Sequence, residues 1–138
     1  MAQKSGERRV LVADDYARWR SQVRSFLQRE TEWRVVFEAC DGLEAVQKTV
    51  ELNPDIVLLD VTMPRLNGIE AARKICQLLP NSKVFMLTQN KDEDLKAAAL
   101  EAGALAYVLK IEMSTALIPA VEAAFRDGVV RCPPSPMA

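Results

Sequence analysis

Histidine is absent from all 138 residues of this chain. That absence removes histidine acid/base chemistry, the serine and cysteine triads built on it, and every histidine metal site. Any phosphate or proton relay through histidine has to involve another protein. Cysteine is scarce: Cys40, Cys76 and Cys132 are odd in number and lack metal-type spacing, which argues against a disulfide framework and fits a reducing cytosol. Cys40 and Cys76 read as inert filler in apolar surroundings, while Cys132 falls in a tail where it can crosslink in air. No apolar run approaches the roughly 20 residues of a membrane span, and the polar opening Met1 to Arg9 lacks the apolar stretch of a signal peptide. A surplus of either charge is missing too. With 18 basic and 19 acidic residues the net charge is -1, so nothing global points to nucleic acid or to an anionic membrane. The arginines Arg8, Arg9, Arg18, Arg20 and Arg24 read as a solvated helix face. There is no glycine-rich phosphate loop of the nucleotide-binding kind.

What the chain does have is alternation. Five short runs rich in apolar and β-branched residues, Val10 to Ala13, Val35 to Ala39, Ile56 to Leu59, Val84 to Leu87 and Leu105 to Leu109, are separated by segments of helical period. That is the pattern of βα units on a parallel sheet, an α/β fold in one domain. Four of the runs are almost continuously apolar, as strands covered on both faces should be, and the one that carries Glu38 belongs at or near an edge. Trp19, Val23, Phe26 and Leu27 form an apolar stripe on a first helix of about Tyr16 to Glu30. Asp41 with Glu44, and Asn67 with Glu70, have capping-box spacing and start helices near Gly42 and Gly68. Asn53-Pro54 stops the first of these. Asp92, Glu93 and Asp94 load the start of a fourth helix with charge that suits its dipole, and Gly103 ends it. Pro119 is tolerable near a first turn, which puts the start of the last helix close to Thr115, with Asp127-Gly128 closing it.

Acidic residues stand where the strands end. Asp14-Asp15 follow the first run and Asp60 follows the third, with Thr88 after the fourth and Lys110 after the fifth. Parallel sheets of this kind bind ligands outside the carboxyl ends of their strands. An ionised carboxylate near low dielectric needs a cation, a proton or several donors. Carboxylates plus a backbone oxygen suit Mg²⁺, while Lys110 and the Thr88 hydroxyl suit phosphoryl oxygens. An aspartate beside Mg²⁺ can act as a nucleophile toward phosphorus. Asp60 is the best candidate, since Pro64 and Gly68 should hold the loop after it away from the helix and leave its carboxylate open. Singly, each residue has a plainer role: Asp14 or Asp15 as a helix cap, Lys110 as a surface charge, Thr88 as a turn residue, Tyr107 as half-buried packing with a wet hydroxyl. Their convergence from four strand ends favours a site.

These residues, with Asp60 followed by Met63-Pro64-Arg65-Leu66-Asn67-Gly68, resemble the receiver domain of bacterial two-component response regulators, CheY-like and closest in wording to receivers of the NarL and FixJ type. The resemblance covers about Arg9 to Gly128. It implies a single (βα)5 doubly wound parallel sheet of flavodoxin-like order 2-1-3-4-5. It implies that Asp60 is the phosphoacceptor and that Mg²⁺ (or Mn²⁺) is held by Asp15 directly, Asp14 through water, Asp60 and the Thr62 carbonyl. Thr88 and Lys110 would bind the phosphoryl group, with Thr88 and Tyr107 as the switch pair. The implied partners are a sensor histidine kinase or phosphotransfer protein and an output domain or protein partner, with a homodimer through the first and last helices as a further option and a cytoplasmic location.

Two residues depart from the family wording. Gln89 is longer than the small residue usual after the threonine, and it should hinder water or a phosphatase from reaching Asp60. Ile111 stands where many receivers have a proline with a cis bond. An aspartate-nucleophile, Mg²⁺-dependent phosphohydrolase is the enzymatic alternative, but such enzymes carry a second acid where this chain has Thr62. A phosphate-independent docking module is the other. The chain divides into a disordered lead (1–8), the receiver unit (9–128) and a Pro-rich tail or linker stub (129–138). Ten residues after Gly128 are too few for a helix-turn-helix, so direct DNA binding by this chain is not expected.

Overall fold

The apolar runs become strands because both of their faces are covered. In a computed structural model that describes residues 7–127, β1 (Arg9–Ala13), β2 (Arg34–Ala39), β3 (Ile56–Leu59), β4 (Lys83–Thr88) and β5 (Tyr107–Leu109) form one parallel sheet in the order β2-β1-β3-β4-β5. Alternate residues serve opposite sides. Val10, Val12, Ile56, Leu58, Phe85 and Leu87 pack with Val23, Phe26 and Leu27 of α1 (Ala17–Glu30) and with Leu117 and Val121 of α5 (Met113–Asp127). Leu11, Ala13, Val57, Leu59, Val84 and Met86 face α2 (Gly42–Leu52), α3 (Gly68–Leu78) and α4 (Glu93–Ala102). The strand with the internal charge, β2, is an edge, and its register against β1 slips by one residue between Val10 and Leu11.

Helix ends follow the local chemistry. The Asp41 carboxylate accepts the Glu44 amide at 2.8 Å while Glu44 accepts the Cys40 amide at 2.9 Å. Asn67 accepts the Glu70 amide at 2.9 Å, but Glu70 turns outward to Arg73, so the second box is half made. Asn53 closes α2 in the left-handed conformation, and Gly103 closes α4 at φ 122°, a backbone that favours glycine.

Several expectations need correction. The last helix starts at Met113 and not near Thr115, because a 3-10 turn over Lys110–Glu112 feeds straight into it. Pro119 therefore sits in its second turn, where its missing N–H leaves the Thr115 carbonyl out of the helical ladder; the ring is exposed, so water can serve that carbonyl. β5 is shorter than Leu105 to Leu109, although the Leu105 amide still bonds to the Val84 carbonyl at 2.7 Å. Cys40 is exposed, between Glu44 and Asp41, and not in apolar surroundings; Cys76 is buried.

Of the five arginines Arg18 is exposed as a solvated face expects, but the other four are engaged. Arg20 and Arg24 clasp Glu38, Arg9 donates to the carbonyls of Leu52 and Asn53, and Arg8 pairs with Glu122 while lying 3.8 Å over the Phe125 ring. Arg8, the last residue of the expected lead, is thus anchored. Residues 1–6 of that lead, the Asp127-Gly128 stop beyond Asp127, Cys132 and the Pro-rich tail lie outside the described residues.

Candidate functional site

The sheet itself delivers the acids. The Asp14 amide donates to the Ala39 carbonyl and the Asp60 amide to the Ala13 carbonyl, both at 3.0 Å, so each residue hangs from the strand beside its own. Ala13 and Leu59 are paired in register, which makes Asp14 and Asp60 neighbours just past the strand ends. This is where the order of a doubly wound sheet reverses and ligands bind. One oxygen from each of Asp14, Asp15 and Asp60 lies within 4.8 Å of the others. Asp14 is 2% exposed and Asp60 7%, whereas Asp15 faces solvent.

The loop after Asp60 is shaped by a close approach. Gly68 donates its amide to the Val61 carbonyl at 2.7 Å, and a Cβ at Gly68 would run into the Asp60 carbonyl oxygen. Gly68 therefore draws the start of α3 onto the backbone of Asp60. It does not hold the loop away, and the Asp60 carboxylate is mostly covered: Oδ1 accepts the Val61 amide at 2.8 Å and Oδ2 lies 3.5 Å from Lys110 Nζ. A parallel contact holds the neighbouring loop, where a Cβ at Gly42 would meet the Leu66 carbonyl.

Lys110, the first residue past β5, reaches across and stands 2.6 Å from Asp14 Oδ2. The two form a close buried ion pair, and among the described residues no other donor serves this oxygen. Burial raises the Asp14 carboxyl above its usual range, the Lys110 ammonium and the Tyr16 amide pull it back down, and the charge of Asp60 adds to the rise. Three converging carboxylates, two of them buried and sharing one ammonium, fit a hard divalent cation.

Thr88 is placed at the mouth of the site but turned elsewhere. It is 1% exposed, and its hydroxyl accepts the Asn90 amide at 3.2 Å. The Tyr107 hydroxyl donates to the Asn90 carbonyl at 2.7 Å. Burial, then the charges of Asp60, Asp92 and Glu93, push the Tyr107 phenol above its ordinary range. Thr62 and Gln89 are exposed, and Ile111 is 82% exposed in a turn that contains no cis peptide.

Three contributors escaped sequence reasoning. Arg20 donates to the Asp14 carbonyl at 2.6 Å and to Glu38 at 3.2 Å, bracing the loop that carries the acids. Asn90 binds Thr88 through its N–H and Tyr107 through its C=O. Trp19 lies under the Lys110 ammonium. Nothing in the spacing of Arg20 or Asn90 signals these bonds, and Trp19 was fully accounted for by the apolar stripe.

Clustered carboxylates at the switch point of a flavodoxin-like sheet, with a lysine reaching over them from the last strand, mark a phosphoacceptor signalling domain. The chain belongs to the response regulator receiver domain family, whose pattern matches residues 10–122. It is 40% identical over 116 residues to the transcriptional regulatory protein LiaR of Bacillus subtilis, covering 84% of this chain and 55% of that one. With CheY of Thermotoga maritima it shares 37% identity over 103 residues, 75% of this chain and 85% of the other. Among solved structures, a LuxR-family response regulator from Aurantimonas sp. SI85-9A1 superposes with a TM-score of 0.83 at 34% identity, covering 94% of this chain and 91% of that chain. The chain spans about half the length of curated relatives such as LiaR, LnrK and DegU. Its role is that of a regulatory switch in two-component signalling. Among the described residues no helix is long and apolar enough to cross a membrane.

Proposed function

We propose that Asp60 is the phosphoacceptor of this switch and that Asp14, Asp15, Asp60 and the Thr62 carbonyl hold Mg²⁺ (or Mn²⁺), in the receiver unit 9–128. The observation that carries the reading is the position of Asp60: one carboxylate oxygen fixed by the Val61 amide, the other facing Lys110, with two further acids beside it. The Asp60 oxygen attacks the phosphorus of a phosphohistidine on a kinase or phosphotransfer protein. The new O–P bond forms as the P–N bond breaks, and its electron pair leaves on the imidazole nitrogen. A divalent cation, when bound, neutralises charge shared between the carboxylates and the phosphoryl oxygens. A structure similar to this chain is the CheX–CheY complex with BeF3 and Mg²⁺ from Borrelia burgdorferi, at 30% identity, which supports the metal. Small phosphodonors such as acetyl phosphate serve the same attack.

The added group brings about -1.5 to -2 charge and three strong acceptors. Lys110 pairs with one oxygen, and Thr88 gives up the Asn90 amide to donate to another. Because Asn90 is also the anchor of Tyr107, that move reaches the ring directly and shifts the population of the face built by α4, β5 and α5. Exposed Gln89 slows water entry and lengthens the phosphoryl lifetime. The readout goes to an output domain or protein partner in the cytoplasm, or to a second copy of this chain through α1 and α5. Any DNA contact is made by that output, in keeping with the transcriptional relatives, and not by these residues.

Borohydride reduction after treatment with acetyl phosphate and Mg²⁺ tests the assignment, because it converts an aspartyl phosphate to homoserine. Peptide mapping should find homoserine at position 60; homoserine at position 14 or 15, or none, contradicts it.

A further inference from the structure

The ammonium of Lys110 is held from three sides. Asp14 Oδ2 lies at 2.6 Å, Asp60 Oδ2 at 3.5 Å, and the centroid of the Trp19 ring at 5.0 Å. The lysine side chain is only 14% exposed, so the indole occupies a side that water would otherwise solvate. Trp19 stands in the first turn of α1, and its half-buried body packs against the core that α1 and α5 share. Packing alone would be served by any large apolar side chain. An aromatic face does something more, since its negative quadrupole attracts a cation, and tryptophan does so best. The need is real for lysine, a point charge on a flexible four-carbon stem with no planar fork to fix its direction.

We infer that Trp19 is a positioning residue for phosphoryl transfer: its ring holds the Lys110 ammonium between Asp14 and Asp60, aimed at the place where the phosphoryl oxygens arrive. The inference rests on the reading of Lys110 as a phosphoryl ligand. As the phosphoryl group forms on Asp60, the ammonium has only to exchange a carboxylate oxygen for a phosphoryl oxygen while the ring keeps it in the site. Without the ring the ammonium swings toward solvent or settles on Asp14 alone, and each encounter with a phosphodonor finds it misplaced. The neighbouring Arg20 fixes the backbone of Asp14, so the first turn of α1 sets both an acid and the base that faces it.

The test is a double-mutant cycle on phosphoryl uptake from phosphoramidate at saturating Mg²⁺, with urea unfolding of each variant alongside. Trp19→Leu should slow uptake by roughly three- to thirty-fold. Trp19→Phe, which keeps a π face, should retain most of the rate at a similar urea midpoint. In a Lys110→Met background, Trp19→Leu should cost nothing further. Uptake by Trp19→Leu at the parent rate, equal slowing by Leu and Phe, or an undiminished loss in Lys110→Met would each overturn the inference while leaving the site assignment in place. Lys110→Met at the parent rate would overturn the reading of Lys110, and the inference with it. Trp19→Met serves the same comparison if Trp19→Leu does not fold.

Discussion

Lys110 stands closer to Asp14 than to Asp60, at 2.6 Å against 3.5 Å. The ammonium and a divalent cation would therefore draw on the same carboxylates, and the two compete for them. Lys110→Met should bind Mg²⁺ about tenfold more tightly, the effect of roughly 1.4 kcal/mol of relieved repulsion. Isothermal titration with MgCl2 measures it, and an unchanged or weaker affinity would mean that Lys110 does not compete.

Gly68 is the tightest point of the phosphoacceptor loop. Since a Cβ there meets the Asp60 carbonyl, Gly68→Ala should destabilise the domain by about 1–3 kcal/mol. It should also lower phosphoryl uptake more than its stability loss explains, because the displaced atoms belong to the nucleophile's own residue. Urea unfolding and uptake rates on the same preparation separate the two effects.

The strand runs, the edge position of β2 and the helix starts at Gly42 and Gly68 were legible because they depend on local pattern and on burial of both sheet faces. That Asp14, Asp60 and Lys110 come together was legible because parallel strands present their carboxyl ends together. Orientation was not. That Lys110 leans on Asp14 and Trp19, and that Asn90 also holds Tyr107, depend on contacts between residues distant in sequence, while the turn of Thr88 to Asn90 and the inward pull of Gly68 are local choices that the spacing of strand ends does not decide. The start of α5 was misplaced for a related reason: the exposed Pro119 is tolerated in its second turn, so the proline rule placed the boundary too late.

Asp14 gives a pH dependence of known sign. Its folded-state carboxyl is raised above the unfolded value by burial, so the ionised form costs stability that its protonated form does not. In the presence of chelator, Asp14→Asn should melt higher than the parent at neutral pH. The gain should shrink as pH falls through the raised carboxyl value of Asp14 and vanish near the ordinary carboxylate range, about pH 4. Thermal melts across that window check it, and a gain that grows on acidification would reverse the sign.

Tyr107→Phe removes the bond to the Asn90 carbonyl and should cost about 0.5–1.5 kcal/mol in urea unfolding. Phosphoryl uptake should persist while the response of the α4, β5 and α5 face weakens. Comparing amide chemical shifts on that face with and without BeF3 and Mg²⁺ reads this out, and a response of full size would detach Tyr107 from the switch.

The central claim is that this chain takes a phosphoryl group on Asp60 with the help of a divalent cation. Intact mass after incubation with phosphoramidate and Mg²⁺ tests it most directly. One phosphoryl group should be gained by the parent and by none of three controls: parent with EDTA, parent without donor, and Asp60→Asn. No gain by the parent, or a gain of equal size in Asp60→Asn, would contradict the account.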